Sequence, residues 1–246
     1  MKKAVILGAT SGIAQQVQRL LIQEGVELLL VARSAEHLPM LAADLETRGV
    51  LKIATYTADL ADISTHATVL ARAQELLPDF DTVLLAYGTL LDQGKCQHSP
   101  QLAIREIDTN FVSAAALLTL FADYFEARKE GCIAAIASIA GDRGHRSNYV
   151  YGSAKGALGI FLEGLRDRFR QTDVRVITIK PGPVHTAMTD RFERNDKFAD
   201  PQEVARDICS ALQKRAPEIL YTPAKWRYLA AAVRLWPDSL SGKIES

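Results

Sequence analysis

The sequence predicts an α/β fold: one doubly wound, Rossmann-type domain around a mostly parallel sheet of about seven strands. Two observations carry this reading. Short apolar runs alternate with helical patterns about seven times along the chain, as βαβ units with right-handed crossovers require. The first run, Lys3–Leu7, passes through the turn Gly8-Ala9-Thr10-Ser11-Gly12-Ile13-Ala14 into a helical pattern reaching Leu21 and Ile22. A glycine-bearing turn between a first strand and a helix is the dinucleotide-binding arrangement. Gly8 makes the turn, Gly12 admits a pyrophosphate to the backbone, and the helix N-terminus presents free N–H groups.

The next strand is expected at Val26–Ala32 and closes on Arg33-Ser34. An acid at this place suits the ribose hydroxyl of NAD, whereas an arginine suits a 2′-phosphate, so Arg33 favours NADP(H) over NAD(H). A helix over Ala35–Arg48, a strand over Leu51–Tyr56 and a loop at Asp59-Leu60 follow, with Ser64 as cap of a helix running to Leu77. Asp81–Ala86 reads as a buried strand ending Leu85-Ala86-Tyr87-Gly88. Ser99-Pro100 opens one helix, and a longer one covers roughly Glu106–Arg128 with Asn110 near its start. The small face Ser113–Ala116 suits packing on the sheet or on a second subunit. Cys132–Ala137 and Val174–Ile179 read as strands, and Ile219–Tyr221 as a short last one. Between the last two, Asp200-Pro201-Gln202-Glu203 is a capping box opening a helix to about Lys214.

Bulk composition narrows the function classes. The chain has 246 residues, enough for one sizeable core, with 48% hydrophobic and 24% charged residues. Lys plus Arg equals Asp plus Glu at 29 each, so no overall field points to nucleic acid. Cys96, Cys132 and Cys209 are scattered and odd in number, which argues for a reducing, cytoplasmic compartment. The histidines show no metal-ligand spacing, so no metal is expected. Neither a signal peptide nor an apolar run long enough to span a bilayer is visible.

The chemistry is expected in the stretch Ser138–Lys155. Ser138 ends a buried strand, Tyr151 follows thirteen positions later, and Lys155 lies one helical turn beyond it. A phenol has a pKa near 10 and is a poor acid or base at neutral pH; a neighbouring ammonium is expected to lower that value. The pair then becomes a proton donor and acceptor. Tyr149 has Ser153 four residues on and lacks such a partner. Glycines and alanines dot the helix after Tyr151 at a cost in helix propensity, which points to close approach by cofactor, sheet or partner helix.

With these residues collected, the chain resembles the short-chain dehydrogenase/reductase family over nearly its full length. The matching pieces are Gly8…Gly12, Asp59-Leu60, Asn110, Ser138, Tyr151-x-x-x-Lys155 and Pro181-Gly182…Thr186, in the family's order. The resemblance implies an oxidoreductase that interconverts a ketone and a secondary alcohol. Tyr151 would pass the proton, Ser138 would hold the carbonyl, and Asn110 would hold a water. Lys155 would bind the nicotinamide ribose. Asp59 and Leu60 would meet the adenine, and Val184, Thr186 and the backbone nearby the carboxamide. Where the family often shows Asn-Asn-Ala-Gly, this chain has Leu85-Ala86-Tyr87-Gly88, and Gly88 alone matches. The family implies a homodimer or homotetramer. A non-catalytic NADP-binding regulator would have lost some of Asn110, Ser138, Tyr151 and Lys155; all four are kept.

A narrower resemblance rests on Tyr87-Gly-Thr-Leu, Ala140-Gly-Asp-Arg-Gly and Ser147-Asn-Tyr-Val-Tyr. It is to a subgroup containing the reductase of a decaprenylphosphoryl keto sugar, and implies a sugar or lipid-linked sugar as substrate. The alternative is a soluble reductase of small carbonyl compounds. Arg143, His145 and Arg146 either clamp a substrate phosphate or form a solvated loop, and Met188–Phe198 is read as a lid. Residues 1–222 are expected to form the catalytic domain and 223–246 a basic amphipathic tail. On that tail Trp226, Leu229, Val233 and Trp236 share one helical face beside Lys225, Arg227 and Arg234. Such a face suits peripheral contact with an anionic membrane or packing on the domain or a partner subunit.

Overall fold

The computed structural model describes residues 1–49, 52–193, 195–213, 217–228 and 230. Its seven strands are β1 (Lys3–Leu7), β2 (Glu27–Ala32), β3 (Ile53–Thr57), β4 (Thr82–Leu85), β5 (Glu130–Ile136), β6 (Asp173–Pro181) and β7 (Ile219–Thr222). They form one sheet in the order β3-β2-β1-β4-β5-β6-β7, and every pairing is parallel. The doubly wound reading holds.

Among the described residues the helices α1 (Gly12–Gln23), α2 (His37–Glu46), α3 (His66–Leu76), α4 (Gln93–Cys96), α5 (Pro100–Ile107), α6 (Ser113–Arg128), α7 (Tyr149–Arg168) and α8 (Pro201–Gln213) cover the two faces. Alternation along each strand divides the core in two. Ile6, Leu28, Leu30 and Leu84 point to one side and bury Val17 and Leu21 of α1, Leu38 and Leu45 of α2, and Ile208 of α8. Val5, Leu7, Leu29 and Leu85 point to the other and bury Val69 of α3, Phe121 of α6, and Leu158 and Leu162 of α7. Strands buried on both faces explain the unbroken apolar runs of the sequence.

The sheet reverses its winding between β1 and β4, since β2 and β3 lie on one side of β1 and β4 to β7 on the other. The crevice outside the carboxyl ends of these two strands is where a doubly wound sheet receives a ligand. Gly8 ends β1 with φ +88°, and a Cβ there would lie 2.6 Å from the backbone nitrogen of Tyr87. Only glycine fits that turn without moving the end of β4.

Three expectations are corrected. Asp62, not Ser64, caps the turn before α3: its Oδ1 accepts from the backbone N–H of Ser64 at 2.9 Å and from the Ser64 hydroxyl at 2.7 Å. The carboxylate sits two residues earlier, where it reaches the free N–H groups, so Ser64 becomes the guest. Glu106 belongs to the helix opened by Ser99-Pro100, not to the start of the longer one. Asn110 lies between them, in a π turn over Asp108–Val112 that joins α5 to α6. Ser113 and Ala114 of the small-residue face are buried against the domain itself. Leu51, Arg194, Lys214, Leu229, Val233, Arg234 and Trp236 lie outside the described residues. Among the described residues no helix is long and apolar enough to cross a membrane, and no cluster of ligating side chains could hold a metal.

Candidate active site

A cavity of about 760 Å³ opens along the carboxyl ends of the strands. At the β1–β2 end it is lined by Gly8, Thr10, Ser11, Gly12, Ile13 and Arg33, and then by Asp59, Leu60, Ala86 and Gly88. At the β5–β6 end it is lined by Ser138, Tyr151, Lys155, Pro181, Gly182, Val184 and Thr186. Residues up to 178 positions apart in sequence thus share one wall, because parallel strands deliver all their carboxyl ends to one edge. Asn110 is the exception among the expected site residues: it lies behind the wall, 1% exposed.

The β1–β2 end suits a phosphorylated ligand. Ser11 precedes α1 but makes no side-chain cap, so the first-turn N–H groups face the cavity without a local acceptor. Arg33 is exposed at the carboxyl end of β2. Asp59 Oδ1 accepts from the N–H of Ala61 at 3.1 Å, and the Leu60 carbonyl accepts from Ser113 Oγ and bonds His66 Nε2 at 2.9 Å, so this loop is fixed from beneath.

At the other end, Ser138 stands just past β5 and opens a 3₁₀ turn, Ile139–Gly141, its Oγ accepting from the N–H of Ala140 at 3.1 Å. Tyr151 and Lys155 project from the first two turns of α7. The Tyr151 hydroxyl shares a hydrogen bond with Ser138. Lys155 Nζ donates to the Ile136 carbonyl at 3.0 Å and lies 5.8 Å from the centre of the Tyr151 ring. The expected lowering of the phenol is not what this arrangement gives. Burial pushes Tyr151 up to about 12, further than the Ser138 hydrogen bond pulls it down, and Glu106 adds to the rise. Burial pushes Lys155 down to about 8, with Glu106 acting the other way. The acid is therefore held protonated and the ammonium is held close to neutrality.

Asn110 is bracketed on all sides. Its Nδ2 donates to the carbonyls of Thr89 and Glu106, both at 3.0 Å, and to Thr89 Oγ1 at 3.1 Å; its Oδ1 accepts from the N–H of Thr89 at 3.2 Å. A π turn is a frequent device for placing a side chain at a site without ending the helix.

A family model described as short chain dehydrogenase matches residues 2–197. An uncharacterized oxidoreductase of Mycobacterium tuberculosis is 32% identical over 233 residues, covering 95% of this chain and 93% of that one. The chain belongs to the short-chain dehydrogenase family. A short chain dehydrogenase from Burkholderia cenocepacia J2315, solved in complex with NADP, has the same fold, with a TM-score of 0.84 at 20% identity and full coverage of both chains. So does a short-chain dehydrogenase from Sphingobium yanoikuyae in complex with NADPH, with a TM-score of 0.83 at 22% identity, covering 100% of this chain and 97% of that one.

Several residues around this dehydrogenase site were not visible in the sequence. Tyr87 stands where the family often has alanine, and its hydroxyl bonds Ser113 Oγ at 2.6 Å; Ser113 in turn donates to Leu60. The phenol thus ties the end of β4 to α6 and to the Asp59-Leu60 loop. Lys180, just before Pro181-Gly182, is paired with Asp142, whose Oδ2 accepts from the Tyr221 hydroxyl at 3.0 Å. This network fastens the loop after Ser138 to the ends of β6 and β7. Trp226 is buried, packs on Gly182 and lines the cavity, so that part of the expected tail face is spent on the domain. Arg143 and His145 line the same cavity, while Arg146 lies at a smaller one beside it.

Proposed function

We propose that this short-chain dehydrogenase uses NADP(H) to interconvert a ketone and a secondary alcohol, working chiefly as a reductase. The observation that carries the reading is that Ser138, Tyr151 and Lys155 converge at one end of a cavity whose other end holds the α1 N-terminus and Arg33. β2 and β5 are three steps apart in the sheet, roughly 14 Å at ~4.8 Å per strand, a span that suits an extended dinucleotide. The fit is supported by the tight Gly8 turn, which admits no Cβ, and by the uncapped start of α1. NADP and NADPH complexes of proteins with this fold agree with the choice of Arg33 as the partner of a 2′-phosphate.

In this reading Thr10, Ser11, Gly12 and Ile13 hold the pyrophosphate, Asp59 and Leu60 the adenine, and Ala86 and Gly88 the backbone between. Lys155 holds the nicotinamide ribose, and Pro181, Gly182, Val184 and Thr186 the carboxamide. The cofactor supplies the hydride. Ser138 hydrogen-bonds the substrate oxygen, and Tyr151 gives that oxygen its proton. A phenol kept protonated across neutral pH is already in the state that reduction consumes, whereas oxidation would need the phenolate first. Leu90, Met188, Phe192 and Trp226 give the substrate end an apolar wall, with Arg143 and His145 beside it. This suits a ketone with a polar or anionic arm, a keto sugar among them. Residues 1–222 then carry cofactor and catalysis, and the segment from 223 contributes Trp226 to the substrate wall.

The test is NADPH oxidation against a panel of keto sugars and small ketones, with wild type and Ser138→Ala side by side. Turnover that falls by roughly 100-fold or more in the variant supports the reading. An absence of turnover with every carbonyl, in protein shown to bind NADPH, would sink it. Cofactor choice has its own expected result. Arg33→Asp should lower the ratio of NADPH to NADH affinity by about 100-fold, the worth of one or two charge-assisted hydrogen bonds. An unchanged ratio in fluorescence titrations places the phosphate elsewhere.

A further inference from the structure

Glu106 is a carboxylate buried to 1% exposure in a protein whose other described acids mostly reach water. Buried charges are retained when they are paired or hydrogen-bonded, because desolvation is otherwise prohibitive. Its hydrogen bonds are specific. Oε2 accepts from Thr89 Oγ1 at 2.6 Å, and Oε1 accepts from the N–H of Leu91 at 3.2 Å. Thr89 Oγ1 is also the acceptor of Asn110 Nδ2, which reaches the Glu106 carbonyl as well. Asn110 and Lys155 then meet at one point. A Cβ built on Gly88 would lie 2.5 Å from Asn110 Oδ1 and 3.3 Å from Lys155 Nζ. Hydrogen bonds thus join Glu106, Thr89 and Asn110 behind the cavity, and Lys155 stands across Gly88 from Asn110, with Glu106 and Lys155 both buried.

We propose that Glu106 is a positioning residue of this dehydrogenase: its buried carboxylate is the counter-charge that keeps Lys155 an ammonium ion and, through Thr89, sets Asn110 beside it. The inference deepens the functional reading above and rests on it for its catalytic meaning, while the placement of Glu106, Thr89, Asn110 and Lys155 stands on the fold alone. The groups around the pair bear this out. From its own helix Lys155 meets Tyr151, which is neutral; from β5 it meets the Ile136 carbonyl; from the loop after β4 and the π turn it meets Gly88 and Asn110. Glu106 is the charge that acts on it. Glu106 is itself faced by Lys155 and Tyr151 of α7 and by the buried thiol of Cys96 on α4, which burial and then Glu106 push up and so keep neutral. Asp92 and Arg191 lie beyond Cys96. Lys180 on β6 is matched by Asp142.

The sign follows directly. Burial draws Lys155 down to about 8, and Glu106 opposes the fall. Without the carboxylate charge the ammonium is lost at lower pH, and with it the cation that faces the ribose and the phenol.

The experiment titrates Lys155 itself, in full-length protein without cofactor, by the ¹³Cε resonance of labelled lysine assigned against Lys155→Arg. Glu106→Gln keeps the shape and removes the charge; its Lys155 midpoint is expected to fall by roughly one unit or more. Thr89→Val removes a hydrogen bond and leaves the charge; its midpoint is expected to stay near wild type while thermal stability drops. An unmoved midpoint in Glu106→Gln, or an equal fall in both variants, overturns the proposal. Should Glu106→Gln not fold, the pair Glu106→Asp and Glu106→Asn makes the same comparison on a shorter arm, with the higher midpoint expected for Asp and equal midpoints overturning it. Since no substrate enters, a failure of the carbonyl-reductase reading leaves this measurement intact. With turnover established, the loss of reduction rate on the basic side moves to lower pH in Glu106→Gln, and NADPH affinity below pH 7 stays within a few-fold.

Discussion

Tyr151→Phe is expected to abolish carbonyl reduction, lowering kcat by about 1,000-fold, the worth of a well-placed general acid. The change removes one oxygen. Ser138 keeps its bond from the N–H of Ala140, and the ring keeps its place beside Lys155, so the cavity wall survives. NADPH affinity should therefore remain within about threefold by fluorescence titration, since the phenolic proton serves the transition state and not the ground-state complex. The pH profile separates this from mere damage. In wild type the phenol, at about 12, stays protonated throughout the working range, while Lys155, at about 8, loses its proton within it. Reduction needs both protons, so the wild-type rate should fall as pH rises through about 8. Residual turnover of the phenylalanine variant, which keeps Lys155, should be low throughout and still fall as pH rises through about 8, the sign of an otherwise intact site. A variant with a tenth or more of wild-type kcat would remove Tyr151 from its role.

That the site could be read at all from sequence has a physical reason. Its parts lie at the carboxyl ends of parallel strands, and those strands are buried on both faces, so each announces itself as an apolar run ending in a turn. Ser138, Gly8 and Pro181 are marked simply by where such runs stop. Tyr151 and Lys155 are marked by helical spacing. What could not be read are contacts whose partners are remote in the chain. Asp142 and Lys180 are 38 positions apart and Tyr221 is 79 from Asp142, and nothing local distinguishes any of them from a surface residue. Glu106 sits in an amphipathic helix between Arg105 and Ile107, where a glutamate ordinarily means a solvated face. The π turn after it leaves no trace in periodicity, so the spacing extends the longer helix back to Glu106 and takes in Asn110, which belongs to the turn between α5 and α6. Trp226 shows a choice that spacing alone leaves open. Its face with Leu229 suits a membrane surface or packing on protein, and Gly182, lacking a side chain, leaves a surface on which the indole packs closely.

The second large effect is expected at Gly88, the one residue of its family motif that this chain retains. Gly88→Ala would put a methyl group 2.5 Å from Asn110 Oδ1, closer than packed atoms come, and 3.3 Å from Lys155 Nζ. Neither neighbour can yield freely. The Asn110 amide is held by Thr89 and Glu106 through four hydrogen bonds, and Lys155 is tied to the Ile136 carbonyl. If Asn110 turns, buried polar groups lose partners, at about 1–3 kcal/mol each. If the backbone at 88 retreats instead, the end of β4 shifts away from the cavity. Either route misplaces Lys155 or the π turn beside it, and displacements of this order cost about 100-fold in rate. Stability should fall by about 2 kcal/mol and kcat by about 100-fold, measured by chemical denaturation and NADPH oxidation. Gly159→Ala is the matched control on α7, because a methyl there meets nothing within 4 Å. It should leave turnover alone and stabilise the helix by up to ~1 kcal/mol. A Gly88→Ala enzyme as stable and as fast as wild type would mean that Asn110 and Lys155 do not need to meet across that point, and would take with it the arrangement that links Lys155 to Glu106.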